Sequence, residues 1–167
     1  MRLMSLDAPS RAVPDPLGAR HHRLDTLIRS ETAEQEGIPN CPPDTLLPNL
    51  ARLARGLDQV VELLGHPLEI SSGYRCEALN RRVGGAPQSQ HVAGLAADFT
   101  CAAFGPPAAV ARAIAASDIR FDQCILEFGR WVHLSFSAEP RRRLLSIHSA
   151  DQGYLDGLVD RDGRPIG

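Results

Sequence analysis

The sequence predicts an α+β domain, with helices ahead of a small, mostly antiparallel sheet. Three observations carry this. Leu46, Leu50, Leu53, Leu57, Val60, Val61 and Leu64 trace the i, i+3, i+4, i+7 stripe of an amphipathic helix. Residues 95–100 alternate, with Leu95, Ala97 and Phe99 on one side and Ala96, Asp98 and Thr100 on the other, as in a half-buried strand. Two further runs, 123–127 and 131–136, flank Phe128-Gly129-Arg130 at a spacing typical of a hairpin.

Taken in order, residues 1–21 are rich in Pro, Asp and Arg without periodicity and read as a flexible leader. Leu24, Leu27 and Ile28 then fall at helical spacing, which predicts a short helix or ordered loop within 22–37. Pro39, Pro42 and Pro43 make 38–43 an extended connector, because each proline disfavours helix before it. Asp44 or Thr45 is expected to cap the main helix and Gly65 to end it. Residues 67–72 read as a strand leading to Gly73-Tyr74-Arg75. A helix over 77–82 stops at Gly84-Gly85, and 86–93 is loop. Gly84, Gly85 and Gly94 serve backbone conformations that glycine adopts cheaply. Pro106 and Pro107 open a helix over 108–116, since first-turn N–H groups lack intrahelical partners anyway. The expected domain is 22–140, with 141–167 a polar, Gly-rich tail packed on it or trailing from it. No internal repeat is present.

A net charge of −2 shows none of the cationic excess that phosphate backbones attract, which argues against nucleic acid as a partner. All 18 basic residues are arginine, a global choice rather than a local recognition patch. No apolar stretch approaches the ~20 residues of a membrane span. The N-terminal residues lack the continuous apolar segment of a secretory signal, so cytoplasmic synthesis without general export is expected. Cys41, Cys76, Cys101 and Cys124 are scattered without a C-x-x-C pair, which favours free thiols in a reducing compartment.

Three candidate ligands stand out: His91 in the loop, Asp98 on the polar face of its strand, and His133 in the hairpin. Trp131, His133 and Ser135 share one strand face while Val132, Leu134 and Phe136 share the other, so His133 lies opposite the aliphatic residues. Two neutral imidazoles and one carboxylate leave a Zn²⁺ ion with a net charge of about +1 and an open fourth position, as catalytic zinc sites do. Such an ion lowers the pKa of water from 15.7 to about 7 and polarises a carbonyl, which suits amide hydrolysis. A structural site would be closed by four ligands, usually with cysteine, and no cysteine here sits at ligand spacing.

The run Ser72-Gly73-Tyr74-Arg75, Leu79-Asn80, Val83-Gly84-Gly85, Ser89-Gln90-His91, Gly94, Ala96 and Asp98, followed by Trp131-Val132-His133, closely resembles the M15 family of zinc D-alanyl-D-alanine peptidases. Ser30-Glu31-Thr32-Ala33 with Asn40 is similar to the N-terminal part of the bacteriophage-type subgroup. The resemblance implies a hedgehog-like α+β fold, one zinc ion per chain held by His91, Asp98 and His133, and cleavage of bacterial cell-wall peptides. The bond would lie next to a D-amino acid, cut as a D-Ala-D-Ala carboxypeptidase or as an endopeptidase of endolysin type. A phage or prophage lysis protein would fit the missing signal, since it accumulates in the cytoplasm and acts on the wall after release. A monomer is expected.

The resemblance also assigns Arg75 to the substrate, holding either a terminal carboxylate or the oxygen that becomes negative during attack, chemistry for which a planar charged fork is well suited. A general base must pass a proton from water to the leaving amine, and Glu127 is the candidate. With a three-residue loop Glu127 pairs with Trp131 and shares the face of His133; a two-residue loop would turn it away. In one branch of the family the acid lies three positions before the last histidine, where this chain has Arg130. Ser89 and Gln90 either orient the ligand loop or bind substrate, with Asp122 and Gln123 in reserve. Trp131 is either core or a wall of the cleft. The alternative function is a non-catalytic, zinc-containing wall-binding or structural module. A Ser-His-Asp hydrolase using Ser89 or Ser135 lacks a nucleophile elbow.

Overall fold

The computed structural model describes residues 14–166. Five helices, α1 (Leu24–Ile28), α2 (Glu31–Glu36), α3 (Leu47–Leu64), α4 (Glu77–Arg82) and α5 (Pro107–Ala116), accompany one six-stranded sheet. Its strands are β1 (Glu69–Ser72), β2 (Ala96–Thr100), β3 (Gln123–Glu127), β4 (Trp131–Ser135), β5 (Arg143–Ile147) and β6 (Tyr154–Asp156), in spatial order β1-β2-β4-β3-β5-β6. Every neighbouring pair is antiparallel except β3 and β5. The α+β class is as the sequence predicts.

The period-2 alternation divides the sheet into two unlike faces. Ala97, Phe99, Val132, Leu134 and Cys124 point into the main core, which also holds Leu50, Leu53, Leu57, Val60 and Leu64 of α3 and Val110, Ala111 and Ile114 of α5. Full burial of side chains of this size stabilises by about 1.5–3 kcal/mol each. That layer fixes the sheet, and the opposite face is left to carry Asp98, His133, Ile125 and Glu127. Their shared face follows from the pairings Asp98 with His133, Ile125 with His133, and Glu127 with Trp131.

Several boundaries differ from expectation for local reasons. Ser30 breaks the first helical stretch in two, because its hydroxyl accepts from the Ala33 N–H as the N-cap of α2. Neither Asp44 nor Thr45 caps α3 with its side chain; the chain enters through a 3-10 turn, Asp44–Leu46. Gly65 ends α3 in the left-handed conformation, φ +70°.

Of the leader expected at 1–21, residues 1–13 lie outside the described residues. The remainder is docked on α3: Leu17 is buried in the main core, and Asp58 accepts from the N–H groups of Arg20 and His21 and bonds His22 Nδ1 at 2.8 Å. The stretch 141–167, expected as a tail, instead supplies β5 and β6, with Leu145 and Ile147 buried. Among the described residues no helix is long and apolar enough to cross a membrane.

Candidate metal centre

Three short distances define the site. His91 Nε2 lies 3.1 Å from Asp98 Oδ1 and 3.2 Å from His133 Nδ1, and His133 Nδ1 lies 2.9 Å from the same Asp98 oxygen. All three residues are buried. Asp98 and His133 are directly opposed on β2 and β4, so the sheet register sets their approach. His91 reaches them from the loop before β2, where Gly94 N–H donates to the His91 carbonyl and Leu95 N–H to that of Gln90.

The proton assignment on His91 follows from its partners. Its Nδ1 sits 2.7 Å from the Gly73 carbonyl, an acceptor only, so Nδ1 carries the hydrogen and Nε2 of the neutral ring is a lone pair. Burial pushes its pKa down, against the opposing pull of Asp98, which keeps that ring neutral. Asp98 behaves in the opposite sense: burial disfavours its charge, but the two imidazoles within 3.1 Å of its Oδ1 outweigh this and hold the carboxyl well below its usual range. A lone pair and a carboxylate oxygen therefore face each other with no hydrogen between them, an arrangement a cation satisfies. The separations of 2.9–3.2 Å are a few tenths of an ångström shorter than the about 3.3–3.4 Å between donors about 2.0–2.1 Å from a tetrahedral ion, so a small outward shift of the donors admits one. This donor set suits a metal ion.

Around the triad, Arg75 Nη2 donates to Asp98 Oδ2 at 2.8 Å and its Nε donates to Ser72 Oγ at 2.8 Å. The guanidinium thus holds the carboxylate so that Oδ1 faces the histidines. Arg75 also lines a cavity of about 500 Å³, walled by Thr26, Arg29, Glu31 and Ser72. Glu127 lies on the same face, paired with Trp131, so the three-residue loop is the one present. Phe128 (φ +55°) and Gly129 (φ +66°) are both left-handed there, and Arg130 is the added residue. Burial and the charge of Asp98 push the Glu127 pKa up, opposed by the Trp131 Nε1–H bond to its Oε2 at 2.9 Å.

The other site candidates have partners within the protein. Ser89 Oγ accepts from the His91 N–H at 3.3 Å, and Gln90 Nε2 donates to Asp122 Oδ2 at 2.8 Å. Asp122 is buried and receives Nε (2.8 Å) and Nη2 (2.6 Å) of Arg141. Gln123 contributes its backbone N–H to Ser135 Oγ. Sequence reasoning missed the Gly73 carbonyl, Asn40 and Arg141. Asn40 donates to the carbonyls of Ile28 and Tyr74 and accepts from Cys76 N–H, clamping the segment that carries Arg75. In the sequence Asn40 enters only as part of the resemblance, and nothing there points to this clamping role.

No curated protein matches the chain. A family model described as Peptidase M15 matches residues 20–135, a span that takes in the His91, Asp98 and His133 triad together with Arg75 and Glu127. With most of its length matched, the chain belongs to the peptidase M15 family.

Proposed function

We propose that this protein is a zinc metallopeptidase that hydrolyses a peptide bond next to a D-amino acid in bacterial peptidoglycan. The observation that carries the reading is the convergence of His91 Nε2, Asp98 Oδ1 and His133 Nδ1 on the face that also presents Glu127. Those three atoms would hold the ion, one per chain. When bound, zinc polarises the scissile carbonyl and acidifies water at the open position.

The chain's own residues supply the rest. Glu127, uncharged more readily than an ordinary glutamate because it is buried near Asp98, accepts a proton from the attacking water and delivers it to the leaving amine. Trp131 orients it through the indole N–H and leaves Oε1 for the reaction. Arg75 holds Asp98 with one arm, and its Nη1 is the donor left for a substrate oxygen, where a fixed positive charge stabilises developing negative charge. Ser89 and Gln90 hold the His91 loop, through the bonds of Ser89 Oγ to His91 N–H and of Gln90 to Asp122. Keeping both an acid and an arginine beside the triad separates this reading from a zinc module that only binds.

The test is Glu127→Gln. The variant should bind zinc stoichiometrically and keep the wild-type melting temperature, while hydrolysis of a peptidoglycan stem peptide falls by about 10²–10⁴-fold. Undiminished hydrolysis would remove Glu127 from the mechanism.

A further inference from the structure

We propose that Tyr154, on the edge strand β6, is a specificity-determining residue whose ring contacts the part of a peptide substrate that lies beyond the scissile bond on the leaving-group side. The inference rests on the peptidase reading above and deepens it in its endopeptidase form, in which the leaving chain is several residues long; release of a terminal D-alanine alone would count against the inference and leave that reading standing.

The register places Tyr154 in the site. Trp131 pairs with Glu127, Glu127 with Ile147, and Ile147 with Tyr154, so these four side chains form one row across β4, β3, β5 and β6. Directly opposed residues share a face, and this is the face of Asp98 and His133. Neighbouring strands are about 4.8 Å apart, so Tyr154 stands about 10 Å beyond Glu127, on the side away from the triad. Glu127 gives its proton to the leaving amine. The chain attached to that amine therefore departs past Glu127, over Ile147 and toward Tyr154, about three extended residues along.

The side chains along this path suit a passing chain. Ile125, Leu145 and Ile147 form an apolar cluster separate from the main core, while the neighbouring Tyr154 ring remains 59% exposed. An exposed ring beside a buried apolar floor is available for contact. Partial burial and then the charges of Glu127 and Asp98 push the pKa of the phenol up, in keeping with the register that sets the ring in this row. From Glu127 through Ile147 to Tyr154 the row offers no cation for a terminal carboxylate, and Arg143 on β5 is paired with Asp156 at 2.8 Å. Tyr154 also lies outside residues 20–135, so this wall belongs to the chain's own C-terminal strands.

The experiment measures binding apart from turnover. Zinc-loaded Glu127→Gln protein is titrated calorimetrically with peptidoglycan stem peptides shortened one residue at a time from the C-terminal end. Affinity should step down by about tenfold when the residues reaching Tyr154 are removed. Tyr154→Ala in the same background should abolish that step, and Tyr154→Phe should keep it within about twofold, since the ring makes the contact. A step that persists in Tyr154→Ala, no step in the parent, or no binding by any stem peptide would each overturn the proposal. Failure of the wild type to cleave peptides that nevertheless bind with the step would instead count against the catalytic reading alone.

Discussion

Gly73 serves the site through its backbone and through its lack of a side chain. Its carbonyl accepts from His91 Nδ1–H, and a methyl on its Cα would run into the carbonyl of Leu27 at the end of α1. Gly73→Ala should therefore cost about 1–3 kcal/mol in chemical denaturation and weaken zinc binding by about tenfold or more in a competing-chelator titration, because the ligand loses its fixed acceptor. Trp131→Phe keeps the ring and removes the donor to Glu127. Since that bond favours the charged carboxylate and burial opposes it, the variant's carboxyl pKa rises further. The unprotonated base then needs a higher pH, so the acid limb of the kcat/KM profile should move upward; an unmoved limb would deny Trp131 its orienting role. At this scale the shared face of Asp98, His133 and Glu127 was legible, because alternation along a strand reveals which residues lie together; His91, in a loop, carries no such pattern. The Gly73 carbonyl was not, since a backbone acceptor leaves no side-chain signature.

Asp122, just before β3, ties three elements together. Its carboxylate takes Gln90 from the ligand loop and the Arg141 fork from the segment leading into β5, and its carbonyl accepts from Arg143 N–H. The Arg141 bonds, ahead of opposing burial, hold its carboxyl well below the usual carboxylate range. A depressed folded-state pKa contributes stability that is present above the unfolded value and lost as pH falls through the folded one. Asp122→Asn should therefore lose stability at neutral pH, by about 1–2 kcal/mol because Arg141 is half-exposed although Asp122 is buried, and show a shallower decline on acidification, both read from denaturation midpoints across pH. The hairpin was legible in the sequence because its loop length and alternation are local. The pairing of β5 with β3 was not: Arg141 and Arg142 precede, and Arg143 opens, a five-residue strand whose parallel partner lies twenty residues earlier, so local pattern presents a polar tail.

For the molecule as a whole, α3 and the sheet tie both ends of the described chain into the body that carries the candidate metal site. Residues 14–21 are anchored through Leu17 and Asp58, while β5 and β6 extend the sheet past β3. Removing residues 143–167 would strip β3 of a neighbour and uncover Ile125 and Leu126. The truncated chain should lose the cooperative thermal transition seen by circular dichroism, and an unchanged transition would make those strands an accessory. The α+β class and the main helix were legible because an 18-residue amphipathic stripe and two strand patterns survive without tertiary context. The docking of the N-terminal segment depends on Asp58, a buried carboxylate whose partners are mainly backbone N–H groups, which no periodicity announces. The most direct test of the central claim is peptide release from purified peptidoglycan by the zinc-loaded protein, read by mass spectrometry beside a chelated sample and His133→Ala. Loss of a terminal D-alanine, or a cut within the stem, that both controls abolish is the expected result. A folded, zinc-binding protein that releases nothing, or release that survives in His133→Ala, would contradict the claim.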